Sequence, residues 1–153
     1  MITISTRAAA GVYADDAGPA VADALRAVGF AVGEVRVVPD GRAVVATEIR
    51  DACEHADLVV TTGGTGLHPK DETPEATADV IDREVPGIAE AMRTASLQIT
   101  PMGMLSRGVA GIRGTTLVVN LPGSPKAAVE NLDVVMDVLG HAMDQLAGGD
   151  HQR

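Results

Sequence analysis

With 153 residues, 46% of them apolar, and a formal charge of −9, the chain can bury one substantial core but is too acidic for general affinity to nucleic acid or anionic membrane surfaces. Aromatic residues make up only 1%, so Val, Ala, Leu, Ile and Met must fill that core, as suits a sheet covered closely by helices. No apolar run nears the ~18 residues of a membrane span, and the start MITISTRAAAG lacks the basic-then-apolar order of a secretory signal, so a cytoplasmic protein is expected.

Residues 2–6 read as a short buried strand. Gly18-Pro19 marks a helix start, and Val21, Ala24, Leu25 and Val28 form the stripe of an amphipathic helix that stops at Gly29. Residues 32–38 read as a second strand. Pro39-Asp40-Gly41 then turns into a helix carrying Val44, Val45, Ile49 and Cys53. Residues 58–62 form a third strand. The order β-α-β-α-β with short connections predicts parallel strands. Residues 74–83 are expected to be helical, and Pro86-Gly87 opens a further helix through Ile88, Ala91, Met92 and Ala95. Residues 109–113 and 116–120, split by Gly114, are consistent with a β-hairpin. A long helix follows, with an apolar seam of Val129, Leu132, Met136, Leu139, Met143 and Leu146. The expected fold is α/β: a three-layer, doubly wound, mostly parallel sheet with a β-hairpin in the C-terminal half. One domain spans 1–147, followed by a frayed tail at 148–153.

The most informative segment is DLVVTTGGTGLHPKDETPEAT, residues 57–77. A strand ends in Thr61-Thr62-Gly63-Gly64-Thr65-Gly66, where glycines let backbone amides approach a ligand and threonines add hydroxyls. No Gly-x4-Gly-Lys-Ser/Thr occurs, and nothing fits Gly-x-Gly-x-x-Gly, so the loop is neither a Walker A loop nor a dinucleotide fingerprint. It suits an anionic or strongly polar ligand at the carboxyl edge of the sheet. Asp71, beyond the last glycine, can hold Mg²⁺ against phosphate oxygens or can pair with Lys70. Thr73-Pro74-Glu75 reads as a helix start, with Thr as cap and Pro at the first position. Asp40 is either an N-cap or a second carboxylate at the same edge. Ser124-Pro125 is again a cap signature, but Pro122-Gly123 places it at a second glycine loop, and Lys126 in that first turn hints at an anion. Lys70, Arg107, Arg113 and Lys126 are the candidates for a basic corner. Cys53 reads as core packing and excludes an intramolecular disulfide. His55, His68, His141 and His151 show no zinc-ligand spacing; His55 and His141 read as surface residues, and His68 as a bystander in the loop.

TTGGTGLHPKDETPEAT, followed by SLQITPMGMLSRGVAGIRGTTLVVNLPGSPKAAVENL, resembles the MogA/MoaB family of molybdenum-cofactor biosynthesis proteins over nearly the whole chain. The resemblance implies a molybdopterin adenylyltransferase: ATP and molybdopterin give adenylyl-molybdopterin and pyrophosphate, with Mg²⁺. It implies a homotrimer and hand-over to a MoeA-type molybdate insertase. It places pterin and phosphate at Thr61, Thr62, Gly63, Gly64, Thr65 and Gly66, and matches Asp40 and Asp71 to the two catalytic, metal-holding aspartates. Ser106 in Leu105-Ser106-Arg107, and Pro122, Gly123, Ser124 and Lys126, match positions lining the pocket. The first strand ends Ser5-Thr6-Arg7 where many relatives carry an Asp after the Ser. The alternative within the family is a non-catalytic trimeric carrier of molybdopterin, of the MoaB type.

Overall fold

Side chains alternate across the central strands, and that alternation assigns the covering helices to their faces. The computed structural model describes residues 1–148, so the expected tail lies, beyond Gly148, outside the described residues. In chain order the elements are β1 (Ile2–Ile4), α1 (Thr6–Ala9), α2 (Ala17–Ala27), β2 (Arg36–Val38), α3 (Arg42–Cys53) and β3 (Leu58–Thr62). They continue as α4 (Thr73–Ala78), β4 (Arg83–Glu84), α5 (Pro86–Ile99), a 3-10 turn (Pro101–Leu105), β5 (Ala110–Arg113), β6 (Thr116–Leu121) and α6 (Pro125–Leu146).

The six strands form one mixed sheet in the order β2-β1-β3-β6-β5-β4. β2, β1, β3 and β6 are parallel, while β5 runs antiparallel to β6 and β4 antiparallel to β5. Val60, Leu117, Val119 and Leu121 point to one face, where they bury Val21 and Leu25 of α2, Met92 of α5, and Leu132 and Leu139 of α6. Val59 and Val118 point to the other, against Val45 and Ile49 of α3 and Ala76 of α4. The sheet is therefore the middle of three layers, filled by aliphatic side chains. Truncating a fully buried one such as Leu132 costs roughly 2–5 kcal/mol.

Five segments differ from the sequence expectation. The first strand stops at Ile4 because the Ser5 hydroxyl caps α1, accepting from the Ala8 amide at 3.2 Å. The second strand covers only Arg36–Val38, since β1 offers three residues for pairing. The helix expected over 74–83 ends at Ala78. There the Asp82 amide bonds the Ile112 carbonyl at 2.7 Å and the Val85 amide bonds Ala110 at 2.8 Å, drawing the chain onto β5 as β4. Gly111 permits this approach, because a Cβ there would sit 2.4 Å from Ile81 Cδ1. The 3-10 turn at Pro101–Leu105, capped by the Thr100 hydroxyl, was not anticipated. In α6 the deepest residues are Ala128, Asn131, Leu132, Val135 and Leu139, so the buried face is rotated slightly from the expected seam; Val129, Met136 and Leu146 flank it. Cys53 is half-buried against the second cluster, and burial pushes its thiol up to about 11, consistent with packing.

Candidate active site

Because β2, β1, β3 and β6 are parallel, the loops that follow all four open at one edge. The strand order reverses between β1 and β3, and ligands bind at such switch points in open α/β sheets. The turn after β3 is pressed against β1: Gly63 has φ +97°, and a Cβ on it would lie 2.2 Å from the Ile4 carbonyl oxygen. Gly64 has φ +64° and lies against the Thr73 hydroxyl. From the turn after β6, the Pro122 carbonyl accepts a 2.5 Å hydrogen bond from Thr62 Oγ1, and Gly123 abuts the Gly63 Cα.

The polarity of the Thr61–Gly66 loop follows from where its carbonyls go. Gly63 O accepts from Thr73 Oγ1 at 2.9 Å and Gly64 O from the Thr73 amide at 3.1 Å. Thr65 O accepts from the Arg107 amide at 2.9 Å and Gly66 O from Arg107 Nε at 2.8 Å. Four successive carbonyls are thus taken by the protein. The amides of Gly64, Thr65 and Gly66 donate to no group among the described residues. A run of uncommitted N–H groups beside neutralised carbonyls is a cradle for an anion.

Among the carboxylates lining the cleft of about 480 Å³ beside this loop are Asp40 and Asp71. Asp40 does not cap α3, whose N-cap is Gly41 without a side-chain bond. Instead its Oδ2 accepts from the Thr6 amide at 2.9 Å and the Thr6 hydroxyl at 2.6 Å, and its own amide donates to Thr6 Oγ1 at 3.0 Å. Asp71 Oδ2 accepts from the His68 amide at 3.2 Å, and Asp71 makes no ion pair with Lys70 among the described residues. Each carboxylate is thus oriented through one oxygen, with Oδ1 left over. Among the described residues no group of three or more His, Cys, Asp or Glu could cage a metal. That donor set fits Mg²⁺, which is typically held by one or two carboxylates together with substrate phosphates. Asp15, also lining the cleft, is consumed: it accepts from Thr3 Oγ1 at 2.7 Å and caps the Ala17 and Gly18 amides of α2.

Arg107 is a structural clasp. Besides the Gly66 bond, its guanidinium donates to the Asp71 carbonyl and pairs with Glu75, tying α4, the Gly loop and Asp71 together. The hydrogen bond from Arg107 holds the Glu75 carboxyl below the usual range. A depressed folded-state value adds stability above the ordinary glutamate range near ~4.3, lost as pH falls through the folded value. With both side chains about a third exposed, solvent screening limits the effect to under about 1 kcal/mol. Wild type should therefore be slightly more stable than Glu75→Gln at pH 7, with the gap narrowing as pH is lowered towards about 3. An unchanged gap in thermal melts at both pH values would contradict the pairing. Thr73 lies inside α4, with Glu72 as N-cap and Pro74 at the second position, and its hydroxyl serves Gly63 rather than a cap.

Asn120 on β6 supports the loop from below. Its Nδ2 donates to Thr61 Oγ1 at 3.0 Å and Thr77 Oγ1 at 2.9 Å, and its Oδ1 accepts from the Val109 amide at 3.2 Å. Replacing it with Leu removes hydrogen bonds to three groups, two of them the buried hydroxyls of Thr61 and Thr77. Asn120→Leu should cost about 3 kcal/mol and lower Tm by roughly 6–12 °C. An unchanged melting temperature would refute that bracing role.

The other candidates divide. Thr62, Gly63, Gly64 and Gly123 line the Asp40–Asp71 cleft. Thr65, Gly66, Ser106 and Pro122 line a separate cavity of about 240 Å³ on the α5–α6 side, completed by Ser96, Thr100 and Asn131. Thr61 is buried beneath, bonded to Asn120. Ser124 caps α6, accepting from the Ala127 amide at 3.4 Å, and Lys126 is exposed and pairs with Glu130 at 3.7 Å; neither lines the two cavities. Of the expected basic corner, Arg107 is committed to Glu75 and Arg113 donates to the Val80 carbonyl. The sequence reading missed Arg7, the basic residue that does line the cleft, and Tyr13, whose ring lies 5.0 Å beneath its guanidinium. The signal was there: Tyr13 is the single tyrosine of a chain with almost no aromatics.

The family model described as a probable molybdopterin binding domain matches residues 1–141. The molybdopterin adenylyltransferase of Escherichia coli K12 is 42% identical over 151 residues, covering 94% of this chain and 75% of that protein. The solved molybdopterin biosynthesis Mog protein of Mycobacterium ulcerans is 50% identical with a TM-score of 0.89, over 95% of each chain. The molybdopterin biosynthesis enzyme MoaB of Thermus thermophilus is 46% identical with a TM-score of 0.88, over 96% of this chain and 94% of that one. By sequence, fold and loop, the chain belongs to the MogA/MoaB family of probable molybdopterin-binding domains.

Proposed function

We propose that the chain is a Mg²⁺-dependent molybdopterin adenylyltransferase, moving AMP from ATP to the terminal phosphate of molybdopterin and releasing pyrophosphate. The observation that carries this reading is the cradle itself: three uncommitted amides on the Gly loop, flanked by the two half-committed carboxylates of Asp40 and Asp71. The molybdopterin adenylyltransferase of Escherichia coli is 42% identical to this chain over 151 residues, which supports the same reaction here.

The two cavities meet at the Gly loop and divide the substrates. The cavity lined by Thr65, Gly66, Ser106 and Pro122 takes molybdopterin, with its phosphate at the loop amides. The Asp40–Asp71 cleft takes ATP. Holding both phosphates at one rigid turn makes the attack effectively unimolecular, and no side-chain nucleophile is needed. Mg²⁺ held by Asp40 and Asp71 would neutralise charge on the phosphates. Thr6 and His68 orient those carboxylates, Arg107 fixes the backbone of Asp71, and Asn120 supports the threonines. A homotrimer is the expected assembly, and the exposed apolar side chains of Leu97, Ile99, Met102, Met104 and Leu105 would suit self-association. The product would pass to a MoeA-type insertase in the cytoplasm. Among the described residues no helix is long and apolar enough to cross a membrane.

EDTA tests the metal requirement. Pyrophosphate release from ATP in the presence of molybdopterin should fall to background and return with added Mg²⁺. Release undiminished by the chelator would contradict the roles of Asp40 and Asp71.

A further inference from the structure

We propose that Arg7, laid on the Tyr13 ring, holds the β- and γ-phosphates of the nucleotide and receives the departing pyrophosphate. The inference rests on the adenylyltransferase reading and adds to it the end of the triphosphate and the residue that binds it.

Arg7 is the one basic side chain among the described residues lining the Asp40–Asp71 cleft. The other residues named for a basic corner are committed elsewhere or lie outside it. Asp15, Asp16, Asp40 and Asp71 all line the same cleft, so a triphosphate entering there meets a strongly acidic wall. Arg7 makes no ion pair with any of these carboxylates. It is held by cation–π contact, 5.0 Å from the Tyr13 centroid, and the ring is pinned by a 2.7 Å hydrogen bond between Tyr13 OH and Ser5 Oγ. Ser5 in turn caps α1, the helix that carries Arg7. The guanidinium is positioned without being neutralised, and its planar fork of donors matches phosphate oxygens.

The direction of transfer assigns the phosphates. An oxygen of the molybdopterin phosphate bonds to the α-phosphorus as the bond from that phosphorus to the β-bridging oxygen breaks, and the electron pair leaves on pyrophosphate. In-line geometry places nucleophile and leaving group on opposite sides of the phosphorus. Molybdopterin approaches from the α5–α6 side, across β6 and β3. The leaving group therefore points across β1 towards β2, and Arg7 follows β1 directly.

Calorimetric titration of wild type, Arg7→Gln and Arg7→Lys with inorganic pyrophosphate, ATP and AMP, each with Mg²⁺, tests the assignment. Arg7→Gln should bind pyrophosphate and ATP about 10- to 100-fold more weakly, with AMP affinity within twofold and an unchanged melting temperature. Arg7→Lys should recover part of the loss, because it keeps the charge and loses the fork. Equal losses for AMP and pyrophosphate, no loss for either, or a wild type that binds no pyrophosphate would each overturn it. The two readings fail separately. If wild type binds ATP and molybdopterin without forming product, the transferase reading falls while the pyrophosphate loss in Arg7→Gln still upholds the seat. If wild type turns over and Arg7→Gln keeps full pyrophosphate affinity, the assignment of Arg7 falls alone.

Discussion

Asp71→Asn is expected to lower AMP transfer about a thousandfold while leaving molybdopterin affinity within about twofold. The asymmetry follows from how Asp71 is held. Its amide donates to the His68 carbonyl at 2.8 Å and its carbonyl accepts from Arg107, so the loop keeps its course without the carboxylate charge. An asparagine oxygen can still accept from the His68 amide. Only the negative charge, and with it one hard ligand for the proposed Mg²⁺, is removed. Asp40→Asn should behave alike, since the bonds from Thr6 need an acceptor rather than a charge. Initial rates with saturating ATP, beside molybdopterin titrations, check both variants. Full activity in both would remove the metal role.

Gly63→Ala should destabilise the protein by about 3 kcal/mol or more, lower Tm by roughly 6–12 °C, and abolish transfer in what remains folded. Two costs combine at this residue. Its φ of +97° is poorly tolerated by residues with a Cβ, and the new methyl would meet the Ile4 carbonyl at 2.2 Å. A backbone atom at the centre of the sheet cannot rotate away, so either β1 or the loop must shift. Gly114→Ala separates the costs, because Gly114 also has positive φ, +56°, but a Cβ there meets nothing within 4 Å. It should lose only about 1 kcal/mol. Similar losses in the two variants, by thermal or denaturant unfolding, would show that the close approach of β1 and β3 contributes little.

Central elements were legible in the sequence because their signals are local and strong. The Leu58–Thr62 strand and the Pro125–Leu146 helix combine clear apolar patterns with glycine or proline punctuation. The hairpin at Ala110–Arg113 and Thr116–Leu121 was visible through Gly114. The pairing of Arg83–Glu84 with β5 was not, because it depends on the amides of Asp82 and Val85 reaching Ile112 and Ala110, 30 and 25 residues away in sequence. The Gly loop reads as a cradle for an anion from its residues alone, and parallel strands suffice to bring Asp40 to the same cleft. Spacing did not reveal that Asp40 would be clasped by Thr6, 34 residues earlier, in place of capping its own helix. Charge counting alone also pointed to the wrong cations. Arg107 serves carbonyls and Glu75, and the guanidinium left facing the cleft is Arg7, whose availability depends on a stacking contact with Tyr13 that only the fold creates.

The central claim is that the cradle and its two carboxylates transfer AMP rather than merely hold a pterin. Incubating the pure protein with molybdopterin, Mg²⁺ and ATP labelled at the α-phosphorus measures it directly. Label appearing in adenylyl-molybdopterin, in step with pyrophosphate release and lost in Asp71→Asn, is the predicted result. Tight molybdopterin binding with all label remaining in ATP would contradict it.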